Sequence, residues 1–404
     1  MKVLILNSTN EYISTGQIAN DLKNSCEKKG YDVLMLFGRG TPNSSNEIRI
    51  SGKLELFFHV LMARLTGLQG YYSFFSTLKA KRAISKFNPD VVFVGNLHGY
   101  YLNFRQLLKF LKNKKIPVCL FMFDEYIFMG KCSFPDNCDG YMTGCGNCPR
   151  KKYYPKTFVF DRSRKILNDK INSFSEYPSL FINGFENSLD KLRKSLFYEK
   201  VGPKVLNVGW GIDLKCPFNV LKKEDVRKEL KLPLNQKIFL AIAPLSFERK
   251  GIKQYYFEIA KKCESQNTLF LHIGNDLNYT DYPNNVISLP YISDKAVLAK
   301  YLCAADYFVI TSKDEGYPTT CIYSLLCGTP IISFDSVYLG KNISKECVKY
   351  FLFGDIDSVV SFIMSEAVYK DISISKKCRF IAEEQFDIDN VISKILTGMG
   401  FKNV

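Results

Sequence analysis

Asp314-Glu315-Gly316-Tyr317-Pro318-Thr319-Thr320 decides the fold through what stands on either side of it. Before it runs Ala305-Asp306-Tyr307-Phe308-Val309-Ile310, an apolar stretch rich in aromatic and β-branched residues that predicts a strand. After it, Cys321, Ile322, Leu325 and Leu326 recur at helical spacing until Gly328, and Ile331-Ile332-Ser333-Phe334 predicts the next strand. Strand, loop, helix and strand in that order form a unit of a parallel α/β sheet. The loop sets a carboxylate, Glu315, and two hydroxyls, Thr319 and Thr320, at the mouth of the helix. Free N–H groups at a helix N terminus attract anions, and a carboxylate beside them accepts hydrogen bonds from hydroxyls. Such a corner is either a capped helix and nothing more, or a site for a ligand that carries both phosphate and polyol.

The same grammar extends in both directions. Residues 237–243, 269–274 and 286–290 predict further strands, and Ser246-Phe247-Glu248-Arg249-Lys250-Gly251 is a basic loop that opens a helix. Near the start, Val3-Leu4-Ile5-Leu6 leads to a loop with Ser14-Thr15-Gly16-Gln17, a helix through Cys26, and a second strand at 31–37. Residues 89–94 and 118–123 predict a third and a fourth strand, ending at Gly95-Asn96-Leu97-His98 and at Asp124-Glu125. Ligands of doubly wound sheets gather outside the carboxyl ends of the strands, which makes His98 and Asp124 candidates. The chain reads as two α/β halves: 1–204, with a Cys-rich insertion at about 130–150, then 205–375, then a helical segment, 376–404, that crosses back to the first half.

Bulk properties narrow the partners. The chain has 404 residues, enough for two or three domains, and its 46% apolar, 24% charged composition is that of a soluble protein. The longest apolar run, 56–63, is far short of a membrane span, and the start shows no signal-peptide pattern, so a cytoplasmic location is expected. The net charge of +15 calls for an acidic partner: nucleic acid, an anionic lipid surface or a phosphorylated substrate. No recognition-helix or base-stacking motif accompanies the charge, which argues against nucleic acid. Leu54, Phe57, Phe58, Leu61, Met62 and Leu65 recur at helical spacing with Lys53 and Arg64 among them. That helix either faces the core or lies on an anionic membrane.

Thirteen cysteines are present, nine of them scattered, several in apolar segments as small core residues. Cys132, Cys138, Cys145 and Cys148 fall within seventeen residues, and Cys145-Gly146-Asn147-Cys148 has the spacing of a zinc knuckle. In a cytoplasmic protein that grouping predicts a structural Zn2+ rather than disulfides, with free thiols as the alternative.

Taken together, these stretches resemble the family-4 glycosyltransferases of the GT-B fold, in particular the bacterial capsule and colanic-acid-type polysaccharide enzymes. The resemblance covers essentially the whole chain. It is carried by Pro89-Asp90-Val91-Val92 running into Leu97-His98-Gly99-Tyr100, Gly144-Cys145-Gly146-Asn147-Cys148-Pro149, Gly211-Ile212-Asp213, Arg249-Lys250-Gly251, and Tyr317-Pro318-Thr319-Thr320 through Cys327-Gly328-Thr329-Pro330. It implies two doubly wound Rossmann-like domains facing a central cleft. It further implies a retaining, metal-independent hexosyltransferase that moves sugar from a nucleoside diphosphate sugar to a glycan or lipid-linked oligosaccharide acceptor. The location implied is the inner face of the cell membrane. On the family's pattern Arg249 and Lys250 hold the diphosphate. Gly16, Glu315, Gly316, Thr319, Thr320 and Tyr323 complete the donor site, and Asp124, His98 and Glu315 line the reaction centre.

Three positions depart from that pattern. Tyr323 stands where the family has a second glutamate that grips the ribose, and Phe123-Asp124 stands for His-Asp. The loop after Ile332 carries Val337-Tyr338 and Lys341 in place of paired glycines and a glutamate. These departures leave a second class open, a GT-B protein without catalysis that serves as a binding or scaffold subunit of a glycan assembly complex.

Overall fold

The computed structural model describes residues 1–402 except 11, 12, 216, 265, 266, 277, 338, 341, 342 and 366–370, with the backbone alone at position 13. Tyr338 and Lys341 therefore lie outside the described residues. Contacts divide the chain into two compact units, Met1–Asp213 with Ile388–Val404, and Leu214–Asp387.

The first unit is built on seven parallel strands: β1 (Lys2–Thr9), β2 (Asp32–Arg39), β3 (Glu47–Arg49), β4 (Val91–Val94), β5 (Val118–Phe121), β6 (Leu180–Asn183) and β7 (Lys204–Leu206). They lie in the order β3-β2-β1-β4-β5-β6-β7. In the middle, Val3 registers with Val33 on one side and Val91 on the other. Helices cover both faces, so the central strands are buried throughout and read as unbroken apolar runs. The edge strand β7 explains why the first unit extends to Asp213, later than position 204. Beyond that strand, the Asn183 side chain donates to the Gly209 carbonyl, and Lys28 pairs with Asp213 at 2.9 Å.

The second unit repeats the plan with β8 (Lys237–Ile242), β9 (Thr268–Ile273), β10 (Val286–Leu289), β11 (Tyr307–Ile310), β12 (Ile331–Phe334) and β13 (Val348–Phe351). Their order is β10-β9-β8-β11-β12-β13, again parallel throughout. In both sheets the strand order reverses beside the first strand, between β1 and β4 and between β8 and β11. That reversal opens the crevice in which doubly wound sheets bind ligands.

Two helical expectations change. Residues 14–17 form the first turn of the helix Ile13–Lys28 rather than a loop, which places Gly16 inside the helix. The terminal helical segment is two helices, Ile372–Phe386 and Ile388–Gly398, broken at Asp387. The former stays in the second unit, where the Arg379 guanidinium donates to the Phe218 and Leu326 carbonyls. The latter belongs to the first unit and packs on Ile13–Lys28.

Asp306 joins β8 to β11. Its carboxylate accepts from the backbone N–H of Ile238 at 2.8 Å and from Arg227 at 2.8 Å, and it pairs with Lys223 at 2.8 Å. Arg227 is 2% exposed, and its remaining donors reach the carbonyls of Ala304 and Gln236. Deleting the carboxylate leaves that guanidinium buried without a counter-ion. Asp306→Ala should therefore cost about 3–5 kcal/mol, measured as a lowered urea midpoint for the second unit, whereas a change below about 1 kcal/mol would contradict the assigned role.

Candidate functional site

At the carboxyl ends of β8 and β11 two loops are stitched together. The loop after β8 makes one tight turn, Glu248–Lys250, and Gly251 then takes φ +68°. A Cβ at Gly251 would lie 2.3 Å from the Thr311 carbonyl oxygen, so both backbone angle and space demand glycine. A single π-helical turn, Ile252–Tyr256, follows. Across the gap the Thr311 hydroxyl donates to the Lys250 carbonyl at 2.9 Å, and the Lys313 N–H donates to the Arg249 carbonyl at 2.8 Å.

These bonds aim both cations at one carboxylate. Glu315 Oε1 lies 2.9 Å from the Arg249 guanidinium and 2.5 Å from the Lys250 ammonium, and Arg249 also donates to the Asp314 carbonyl at 2.7 Å. Glu315 is only 6% exposed. Burial pushes its carboxyl up, yet Lys250 and Arg249 outweigh that and hold it below the ordinary value of 4.5. One carboxylate oxygen of Glu315 thus faces two cations. Gly316 is buried beside it, and Thr319 and Thr320 stand half-buried in the first turn of the helix Thr319–Leu326. Pro318 precedes that turn and lends no side-chain cap. Tyr323 lies one turn further on, with its ring stacked on Phe218 at 4.0 Å and 11°. It is buried, with the Phe218 ring against it.

The first unit holds the other candidates. His98 and Asp124 follow the adjacent strands β4 and β5 and meet there, Nε2 to Oδ2 at 2.5 Å. Asn96 adds a side-chain contact to the His98 ring at 3.0 Å, and the Tyr154 hydroxyl lies 3.1 Å from Nδ1. Asp124 also accepts from the Tyr126 N–H at 3.0 Å. Burial raises the Asp124 carboxyl, and His98 together with these hydrogen bonds brings it below its usual range. Phe123 turns away into an aromatic group, with its ring 5.2 Å from Trp210 and 5.8 Å from Phe121.

The segment that carries Asp124 rests on buried charge. Glu125, fully buried, pairs with Lys191 at 2.8 Å, and Lys170 donates to the carbonyls of Tyr126 and Met129. Burial presses the Lys170 ammonium down to about 7. Gly16 sits in the first turn of Ile13–Lys28, directly after β1.

The four clustered cysteines line one cavity of about 20 Å3, and all are free thiols. Among the described residues, however, no three Cys, His, Asp or Glu side chains are arranged to hold a metal ion. The knuckle turn itself is present, with Cys145 at φ +57° and Asn147 at φ +48°.

Sequence reasoning missed three groups at these sites. Asn96 was legible in principle, two residues before His98 in a polar loop. Tyr154 and Thr311 were not, because each reaches its partner across a distance in sequence that no local pattern encodes.

The Glu315 cluster makes a pH prediction. A carboxyl held low in the folded state contributes stability that is fully present above its unfolded value and fades as pH falls through the folded one. Thermal melts of the wild type should therefore lose stability from about pH 4.5 downward more steeply than those of Glu315→Gln. Parallel acid limbs would refute the pairing.

Comparison with known proteins now adds identity to this geometry. Residues 236–363 match the family model described as "Glycosyl transferases group 1". The putative colanic acid biosynthesis glycosyl transferase WcaC of Escherichia coli is 28% identical over 278 residues, covering 64% of this chain and 65% of that protein. The putative teichuronic acid biosynthesis glycosyltransferase TuaC of Bacillus subtilis is 31% identical over 113 residues, 28% of each chain. The matches thus span less than two thirds of these relatives' lengths. Among solved structures, Anabaena HepE in complex with UDP-glucose superposes with a TM-score of 0.64 at 13% identity over 99% of both chains. Sucrose-phosphate synthase from Thermosynechococcus elongatus gives 0.64 at 15% identity over 98% of both. The two Rossmann-like units are those of the GT-B fold, and residues 236–363 are a domain of the glycosyl transferases group 1 family.

Proposed function

We propose that the protein is a retaining glycosyltransferase that moves a sugar from a nucleoside diphosphate sugar to a lipid-linked glycan acceptor in surface polysaccharide biosynthesis. The cluster of Arg249, Lys250 and Glu315 at the ends of β8 and β11 carries this reading. It stands where a doubly wound sheet binds its ligand, inside the matched family domain. Relatives named for colanic and teichuronic acid biosynthesis, and a neighbour solved with UDP-glucose, support the same chemistry.

On this reading the bond from the sugar's anomeric carbon to the diphosphate breaks, and a bond to an acceptor hydroxyl oxygen forms on the same face. The hydroxyl proton leaves with the diphosphate. Breaking that bond needs positive charge at the departing oxygens, and Arg249 and Lys250 supply it from fixed positions. The N–H groups at the start of Thr319–Leu326 add to it, so the reading assigns no catalytic metal. Glu315 holds both cations in place and accepts from the sugar hydroxyls. His98 and Asp124 serve the acceptor side from the first unit.

The second reading, a binding subunit without catalysis, draws on Tyr323 stacked on Phe218 and on Phe123 packed into its aromatic group. Calorimetry with UDP, UDP-glucose and other nucleoside diphosphates separates the possibilities. Wild-type protein should bind at least one of them, and Lys250→Ala should weaken it roughly 10–100-fold, the value of one charge-assisted bond. Unchanged affinity in the variant would remove the donor-site assignment. Binding with no sugar transfer or donor hydrolysis would favour the subunit reading, and the anomeric configuration of any product reports retention or inversion.

A further inference from the structure

The first unit carries an apolar surface that its own fold leaves uncovered. The helix Lys53–Thr66 seats His59 and Ala63 inward and turns Leu54, Phe57, Phe58, Leu61 and Leu65 out, with Leu54 87% and Phe57 69% exposed. His59 fixes that orientation. Its Nδ1 lies 2.6 Å from the Ser73 hydroxyl, and its Nε2 accepts from the Gly70 N–H at 2.9 Å. The helix therefore cannot roll its outer face inward without breaking two buried hydrogen bonds.

Two neighbouring segments extend the surface. The Glu55 carboxylate accepts from the N–H groups of Phe75 and Ser76, at 2.7 and 2.9 Å, and so ties the next helix, Phe74–Phe87, to the first. That helix begins with exposed Phe74, Phe75 and Leu78. At the other end, the Phe158 N–H donates to the Arg64 carbonyl at 2.9 Å, which sets exposed Phe158, Val159 and Phe160 beside Leu65. Large apolar side chains gathered in this way mark a docking surface.

The rim is predominantly basic, with Lys165 paired to Asp169 at 3.2 Å. Lys53, Arg64, Lys79, Arg82, Arg162 and Lys165 are all exposed, and the Arg64 and Arg162 guanidinium groups lie over the Phe158 and Phe160 rings. The segments 53–82 and 156–165 contain two acids, Glu55 and Asp161, and both are engaged by backbone N–H groups. A second copy docking here about a two-fold axis would set this basic rim against itself. An anionic bilayer meets both features, because its acyl boundary takes the apolar side chains and its headgroups take the cations.

We propose that this face docks the protein on an anionic lipid membrane, with Leu54, Phe57, Phe75 and Phe158 entering the interface and the surrounding Lys and Arg contacting lipid phosphates. The proposal rests on the first unit alone and stands or falls separately from the donor site. Flotation of the full chain with vesicles tests it, using neutral phosphatidylcholine against an equal mixture with phosphatidylglycerol. The wild type should bind the anionic vesicles at least about tenfold more strongly, and Leu54→Ser/Phe57→Ser and Arg64→Glu/Arg82→Glu should each lose about tenfold. Because all four residues are exposed, both double variants should keep the wild-type melting temperature and nucleotide affinity. Wild-type protein that fails to float overturns the proposal, as do variants that bind as the wild type does. A dimer in light scattering that Leu54→Ser/Phe57→Ser dissociates, without vesicle binding, would assign the face to a second copy instead.

Discussion

A buried carboxylate between two cations organises the carboxyl end of the second unit's sheet. Glu315 is nearly inaccessible, and an isolated charge there would be driven to protonate. Its neighbours prevent this, and the neighbours come from a different loop. The loop after β8 must therefore close against the loop after β11. That closure demands Gly251 at a positive φ, the Thr311 hydroxyl on the Lys250 carbonyl and the Lys313 N–H on the Arg249 carbonyl. The cluster thereby holds two cations in fixed positions before any ligand arrives.

The two sheets use buried charge in similar ways. Asp306 clamps β8 and β11 below the cluster, with Arg227 as its buried partner. In the first unit Glu125 with Lys191, and Lys170 with two carbonyls, hold the segment after β5 that presents Asp124 to His98. None of these pairs is an economical source of stability, since desolvation offsets much of the attraction. What they supply is a single permitted position for the loops at the strand ends.

Much of this was legible from local pattern. Central strands buried on both faces appear as apolar runs, so β1, β4, β5, β8, β9, β11 and β12 could be read directly. The two edge strands of the first sheet were harder. Glu47-Ile48-Arg49 and Lys204-Val205-Leu206 carry charged residues and three positions each, and only a neighbouring strand makes them strands. The cysteine spacing pointed to a metal; the four thiols do gather at one cavity, while among the described residues no three ligands are arranged to hold an ion. The apolar helix 53–66 could be read as facing the core or as lying on a membrane, since helical spacing gathers an apolar face without stating what covers it.

By itself the sequence determined the α/β class, the two-sheet plan, the basic loop at Arg249-Lys250 and the acidic turn at Glu315, because each is written in neighbouring residues. Tertiary structure alone decided that those two loops share one ion pair, that His98 meets Asp124, and that Tyr323 stacks on Phe218. It also decided that the outer face of Lys53–Thr66 stays uncovered. The physical reason is common to all of them. Periodicity states which side chains avoid water, whereas charge pairing and exposure depend on which strand comes to lie beside which.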